Sequence, residues 1–208
     1  MEPAFEFEEF EFVAEIDNCI AEMSYEQFLD YIELPENMYQ RFELAEGRVV
    51  AMSSPTSKHQ FISGEIARKT GNYLEGKQCR VFQDLNVHLY KEGIGKETSV
   101  FRPDVLVGCD REKITDRGYE GTPEWIVEVI SKSNPQHDYL YKLAYYMRYG
   151  VKEYWIVDHF ANLVTIYKNS NEEKYTVKQY TFSDRIQVGI FSDLHIDFSE
   201  VLALISDM

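Results

Sequence analysis

The segment Glu124-Trp125-Ile126-Val127-Glu128-Val129-Ile130-Ser131 limits the possible folds more than any other. A run that is apolar at both odd and even positions belongs to a strand covered on both faces. An unpaired carboxylate in that setting costs several kcal/mol, so Glu128 has to be ion-paired, protonated or bound to a cation. An internal salt bridge or a solvent-facing edge position is the competing explanation. A second carboxylate opens Pro103-Asp104-Val105-Leu106-Val107. Proline suits a strand start, where no ladder donor is needed. Alone, an aspartate at a strand mouth is ordinary turn chemistry. On neighbouring strands, Asp104 and Glu128 at matching levels make a hard, oxygen-rich site suited to Mg²⁺, with the Val129 carbonyl as a further donor.

The remaining pattern predicts a mixed α/β sheet with helices on its faces. Ser24-Tyr25-Glu26-Gln27 fits a capping box for a helix ending near Pro35. Two strands, 41–44 and 48–52, flank the turn Ala45-Glu46-Gly47. Ile62, Ile66, Thr70 and Tyr73 recur at helical spacing across 56–74, with Gly76 as the stop. Strands are expected at 80–90, 99–108 and 124–131. A helix over 136–149 is closed by Gly150, and a hairpin follows at 153–158 and 163–168. Short strands lead to 196, and a last helix covers 198–205. Residues 1–23 alternate Phe and Glu and read as an acidic arm outside the core, ahead of a single domain over 24–208.

The net charge of −15 speaks against nucleic acid, whose phosphates are bound by cations. The charge is unevenly spread, however. Residues 1–23 hold eight acidic groups and no Lys or Arg, whereas 54–154 hold fifteen basic against fourteen acidic groups. A nucleic-acid groove in the middle of the chain is compatible with that balance; so is a solvated acidic surface that aids solubility. No apolar run approaches membrane-spanning length. Three separated cysteines, Cys19, Cys79 and Cys109, give neither a zinc pattern nor a disulfide framework, and point to a reducing cytoplasm.

Pro103-Asp104 and Glu128-Val129-Ile130 resemble the two conserved elements of the PD-(D/E)XK nuclease superfamily. Phe42-Glu43-Leu44, Glu46-Gly47, Met52-Ser53-Ser54-Pro55, His59 and Tyr154-Trp155-Ile156-Val157-Asp158 extend the likeness to its Uma-type family. The resemblance runs from about Ser24 to Phe198 and rests on the ordered combination, since each motif alone is weak. It implies a restriction-endonuclease-like fold and metal-dependent hydrolysis of DNA phosphodiester bonds. Asp104 and Glu128 would hold Mg²⁺, or Mn²⁺ in its place, and Glu43 would support a metal-bound water, although a Glu between Phe42 and Leu44 on a strand ordinarily faces water. Homodimers acting on duplex DNA are expected, with one active site per strand.

One position departs from that pattern. The superfamily places Lys two residues after the Glu, where this chain has Ile130. Two lysines compete for the role. Lys142 stands on the following helix, where the resembling family also carries Lys, and Asp138 precedes it by four residues. Lys132 shares the face of Glu128 by strand parity if the strand continues that far. Leu140, Leu143, Ala144 and Met147 form one apolar stripe with Lys142 on the opposite side, and a lysine there is solvated unless the tyrosines around it are covered too. His59, at the start of a helix, is expected to make a capping contact, with a phosphate or metal-bound water as the alternative. Lys58, Arg68, Lys69 and Arg102 are the basic candidates for the phosphate backbone. Ile130 and the negative charge also suit a catalytically inactive nuclease-fold module that binds nucleic acid or protein.

Overall fold

The computed structural model describes residues 4–6, 19–89, 99–131, 141–171 and 174–208. They form a mixed α/β architecture. A seven-stranded sheet runs in the spatial order Ala4–Glu6, Lys174–Thr181, Leu163–Asn171, Glu153–Asp158, Trp125–Val129, Val105–Gly108, Arg80–Gln83. Its one parallel pairing joins Trp125–Val129 to Glu153–Asp158; every other neighbour is antiparallel. A parallel pair needs a crossover, and the helix α3 (Leu143–Tyr149) lies in that connection. A second seven-stranded sheet contains the hairpin Phe42–Ala45 and Arg48–Ala51, and next to it Ser99–Phe101.

The Trp125–Val129 strand is buried at all five positions, as its two-sided apolar pattern demands. Its odd residues join a core with Ile62 and Ile66 of α2 (Ser57–Leu74) and Phe198 and Val201 of α4 (Phe198–Ile205). Ile126 and Ile130 join a different core with Tyr141, Tyr146 and Tyr149. α1 (Tyr25–Glu33) starts at the expected capping box and buries Phe28 against Phe42 and Leu44. The Glu46-Gly47 turn has φ +48° and +83°, the left-handed pair that a two-residue hairpin turn requires.

Several sequence expectations are corrected. The strand at 80–90 is two strands, Arg80–Gln83 and Val87–His88, broken where Asp84 turns left-handed at φ +56°. The strand at 99–108 divides at Arg102-Pro103-Asp104 and feeds both sheets. Residues 174–181 are one long strand, not several short ones. Ala4–Glu6 pairs with that strand, and Cys19–Glu22 pairs with Arg48–Ala51. Cys79 and Cys109 form a disulfide. The Arg80–Gly108 pairing explains it, because one further step of the same register sets these cysteines opposite each other. The cysteines therefore no longer point to a reducing compartment. No helix among the described residues is long and apolar enough to cross a membrane.

Candidate active site

The site forms where strands from both sheets end beneath α3. Phe42 and Leu44 face α1, so by strand alternation Glu43 points the other way, toward α3. It is 1% exposed. On the first sheet, the pairings Ile126–Leu106 and Val127–Val105 continue by one step to bring Asp104 level with Glu128. The carboxylates expected on neighbouring strands at matching levels therefore hold that placement.

Lys142 is fully buried, and its Nζ lies 2.8 Å from Glu43 Oε1 and 3.0 Å from Glu128 Oε1. The lysine just ahead of α3 thus joins the two sheets through one ammonium and two carboxylates. Tyr146, one helical turn later, donates its hydroxyl to the same Glu128 Oε1 at 3.0 Å. The Arg102 amide donates to Glu43 Oε1 at 2.9 Å. Asp104 Oδ2 accepts the Val129 amide at 2.7 Å and lies 3.1 Å from His59 Nε2. Val129 directly follows Glu128, so this amide fixes the Asp104 carboxylate against the Glu128 strand. The His59 amide is capped by Thr56 Oγ1 at 3.2 Å, while its ring serves Asp104. The His59 amide thus takes part in the cap that Thr56 supplies, and its imidazole lies against the Asp104 carboxylate.

The helix stripe was the misleading signal. Tyr141 and Lys142, just ahead of α3, and Tyr146 and Tyr149 within it turn inward, while Leu143, Ala144 and Met147 are left half-buried. Ile130 packs with Tyr141 and Tyr146, which explains an isoleucine there: that side chain fills core, and the amine beside Glu128 arrives from the helix. Lys132, Asp138 and Leu140 lie outside the described residues.

Tyr146 went unnoticed in the sequence, although its spacing from Lys142 places both on one helical face. Burial, and then the negative charge of Glu128 and Glu43, push its hydroxyl well above the ordinary tyrosine range. It therefore stays protonated at neutral pH and donates to Glu128. Asp84 was also missed. Its neighbour Gln83 pairs with Val105, so one further step brings Asp84 level with Asp104. It binds Arg41 and Arg102.

Among the described residues, no group of three or more His, Cys, Asp or Glu side chains gathers at metal-ligand spacing. A hard cation such as Mg²⁺ does not need one, since it is commonly held by one or two carboxylates plus water and substrate phosphate. Asp104 and Glu128 fit that limited donor set. The other basic candidates stand differently. Arg68 pairs with Glu65 at 2.8 Å, Lys69 contacts Glu200, and Lys58 sits half-buried in the first turn of α2.

A family model described as "Uma2: Putative restriction endonuclease" matches residues 25–199. Among solved structures, the chain is similar to a putative nuclease belonging to DUF820 from Anabaena variabilis ATCC 29413. The TM-score is 0.68 at 20% identity, covering 87% of this chain and 98% of that one. This likeness supports the nuclease-like fold. No match emerges among proteins of curated function.

Proposed function

The chain belongs to the Uma2 family of putative restriction endonucleases, and from that premise we propose that it hydrolyses phosphodiester bonds in DNA with a divalent cation held by Asp104 and Glu128. The observation that carries the reading is the fully buried amine of Lys142, bonded to Glu128 and Glu43 where the superfamily's lysine is missing. The cation, Mg²⁺ or Mn²⁺, would polarise a phosphate oxygen and acidify a bound water. His59 and the Val129 amide hold the Asp104 carboxylate in place, and Asp104 would serve as one of the cation's ligands. Tyr146 and Lys142 fix the rotamer of Glu128, and such supporting contacts are worth as much to a metal site as some ligands. Glu43 holds the Lys142 amine in place, and Lys142 in turn would stabilise the negative charge that grows on the phosphate in the transition state. Duplex DNA is the proposed substrate, and a homodimer the proposed assembly for cutting both strands.

Ile130 favours a second reading, an inactive module of the same fold that binds nucleic acid. Cleavage of plasmid and linear duplexes in Mg²⁺ and Mn²⁺ separates the two. The nuclease reading expects metal-dependent cleavage by the wild type and its loss in both Asp104→Ala and Glu128→Ala. Cleavage that survives both substitutions overturns the site. Binding without cleavage by the wild type identifies the module.

A further inference from the structure

Arg41 immediately precedes the Glu43 strand, and Arg102 sits two residues before Asp104. Both guanidinium groups close on Asp84. Arg102 Nε lies 3.1 Å from Asp84 Oδ1 and donates to the Asp84 carbonyl at 2.9 Å; its Nη2 reaches Oδ2 at 3.5 Å. Arg41 Nη2 contacts the same Oδ1. Asp84 adopts φ +56°, a conformation that costs an L-residue free energy, and it does so level with Asp104 in the strand register.

We propose that Arg41 and Arg102, gathered on Asp84, form a phosphate clamp beside the Asp104–Glu128 pair that grips a non-scissile phosphate of the bound DNA backbone. This rests on the nuclease reading and adds a substrate-positioning element to it. Three observations carry it. Two guanidiniums share one carboxylate, so the cluster keeps a net positive charge within a chain of net charge −15. Both side chains reach the surface, Arg41 at 17% and Arg102 at 29% exposure. Arg41 Nε is buried without an acceptor among the described residues, so the cluster holds more donors than Asp84 can satisfy. Planar guanidinium forks match phosphate oxygens, and a gathered pair has already lost the side-chain freedom that binding would cost. A purely structural role would be to tie the two sheets together, since Asp84 follows a strand of one sheet and the arginines flank strands of the other.

The test measures binding of the full chain to a mixed-sequence DNA duplex by fluorescence anisotropy from low to high salt, in a Glu128→Gln background that prevents cleavage. Each phosphate contact contributes about one unit to the slope of log affinity against log salt. Arg41→Gln and Arg102→Gln are each expected to weaken binding several-fold and lower that slope by about one. Arg41→Lys and Arg102→Lys should retain the slope and recover part of the affinity. Thermal unfolding shows that each variant is folded, and the Lys pair keeps the comparison open if a Gln variant is not. Affinity and slope unchanged in folded Gln variants overturn the clamp, even where the wild type cuts DNA with metal. No duplex binding by the background protein, together with no cleavage by the wild type, overturns the clamp and the nuclease reading together.

Discussion

Replacing Lys142 with Met tests the centre of the site, because it preserves most of the side-chain volume while deleting one buried charge. In the wild type, that ammonium lies 2.8 Å from Glu43 and 3.0 Å from Glu128, and all three side chains are 4% exposed or less. Without it, two carboxylates remain buried with no ammonium beside them. The Arg102 amide still serves Glu43 and the Tyr146 hydroxyl still serves Glu128, but neither supplies a charge. Removing one partner from a buried ion pair costs about 3–5 kcal/mol, most of it from the charge left behind. For a chain of this size that loss lowers the melting temperature by about 6–20 °C. The assay is thermal and urea unfolding of Lys142→Met, with Glu43→Gln and the Lys142→Met/Glu43→Gln double variant completing a cycle. The double variant should recover much of the loss, because one of the two stranded charges is gone. Added Mn²⁺ should stabilise Lys142→Met by replacing the missing positive charge at Glu128. A loss below about 1 kcal/mol, or a double variant less stable than the sum of the singles, would refute the buried three-charge arrangement.

Other outcomes follow from the same geometry. Tyr146→Phe removes one donor from Glu128; isothermal titration should show Mn²⁺ affinity falling by about 10–100-fold, the usual effect of losing a supporting contact. Glu153 is buried, and burial pushes its carboxyl above the ordinary value of 4.5 even though the Gly189 amide and Trp155 Nε1 donate to it. The folded state therefore holds this proton more tightly than the unfolded state, so Glu153 costs stability as pH rises through and above its unfolded value. Glu153→Gln should raise the melting temperature relative to wild type at pH 7 more than at pH 4, and a larger gain at pH 4 would reverse the sign of this argument. Gly108→Ala would place a methyl 2.2 Å from a ring carbon of the fully buried Tyr119, so chemical denaturation should show a loss of about 1–3 kcal/mol from overpacking.

What could be read in advance differs from residue to residue for physical reasons. Glu128 was legible because a charge inside a two-sided apolar strand has few explanations. α1 and α4 were legible because caps and helical periodicity are local. Asp104 needed strand register, which links residues far apart in sequence, and the same is true of the Cys79–Cys109 disulfide that the spacing did not suggest. Glu43 looked like a solvent-facing position because alternation alone cannot say that α3 covers the second face of its strand. Lys142 was placed on the polar side of its helix, yet that side is the buried one. Tyrosines cover apolar surface while keeping a hydroxyl for buried partners, so a Tyr-rich face can pack around a charge where a Leu-rich face cannot. Asp84 carried no local signal beyond a charged residue between two short strands; its role depends on Arg41 and Arg102 arriving from elsewhere.

The most direct test of the central claim is anomalous diffraction from crystals equilibrated with Mn²⁺. The account predicts a peak coordinated by carboxylate oxygens of both Asp104 and Glu128 at about 2.1 Å, the distance for small hard cations, with Lys142 still in contact with Glu43. Manganese bound elsewhere, with Asp104 on His59 and Val129 and Glu128 on Lys142 and no metal near either, would contradict it.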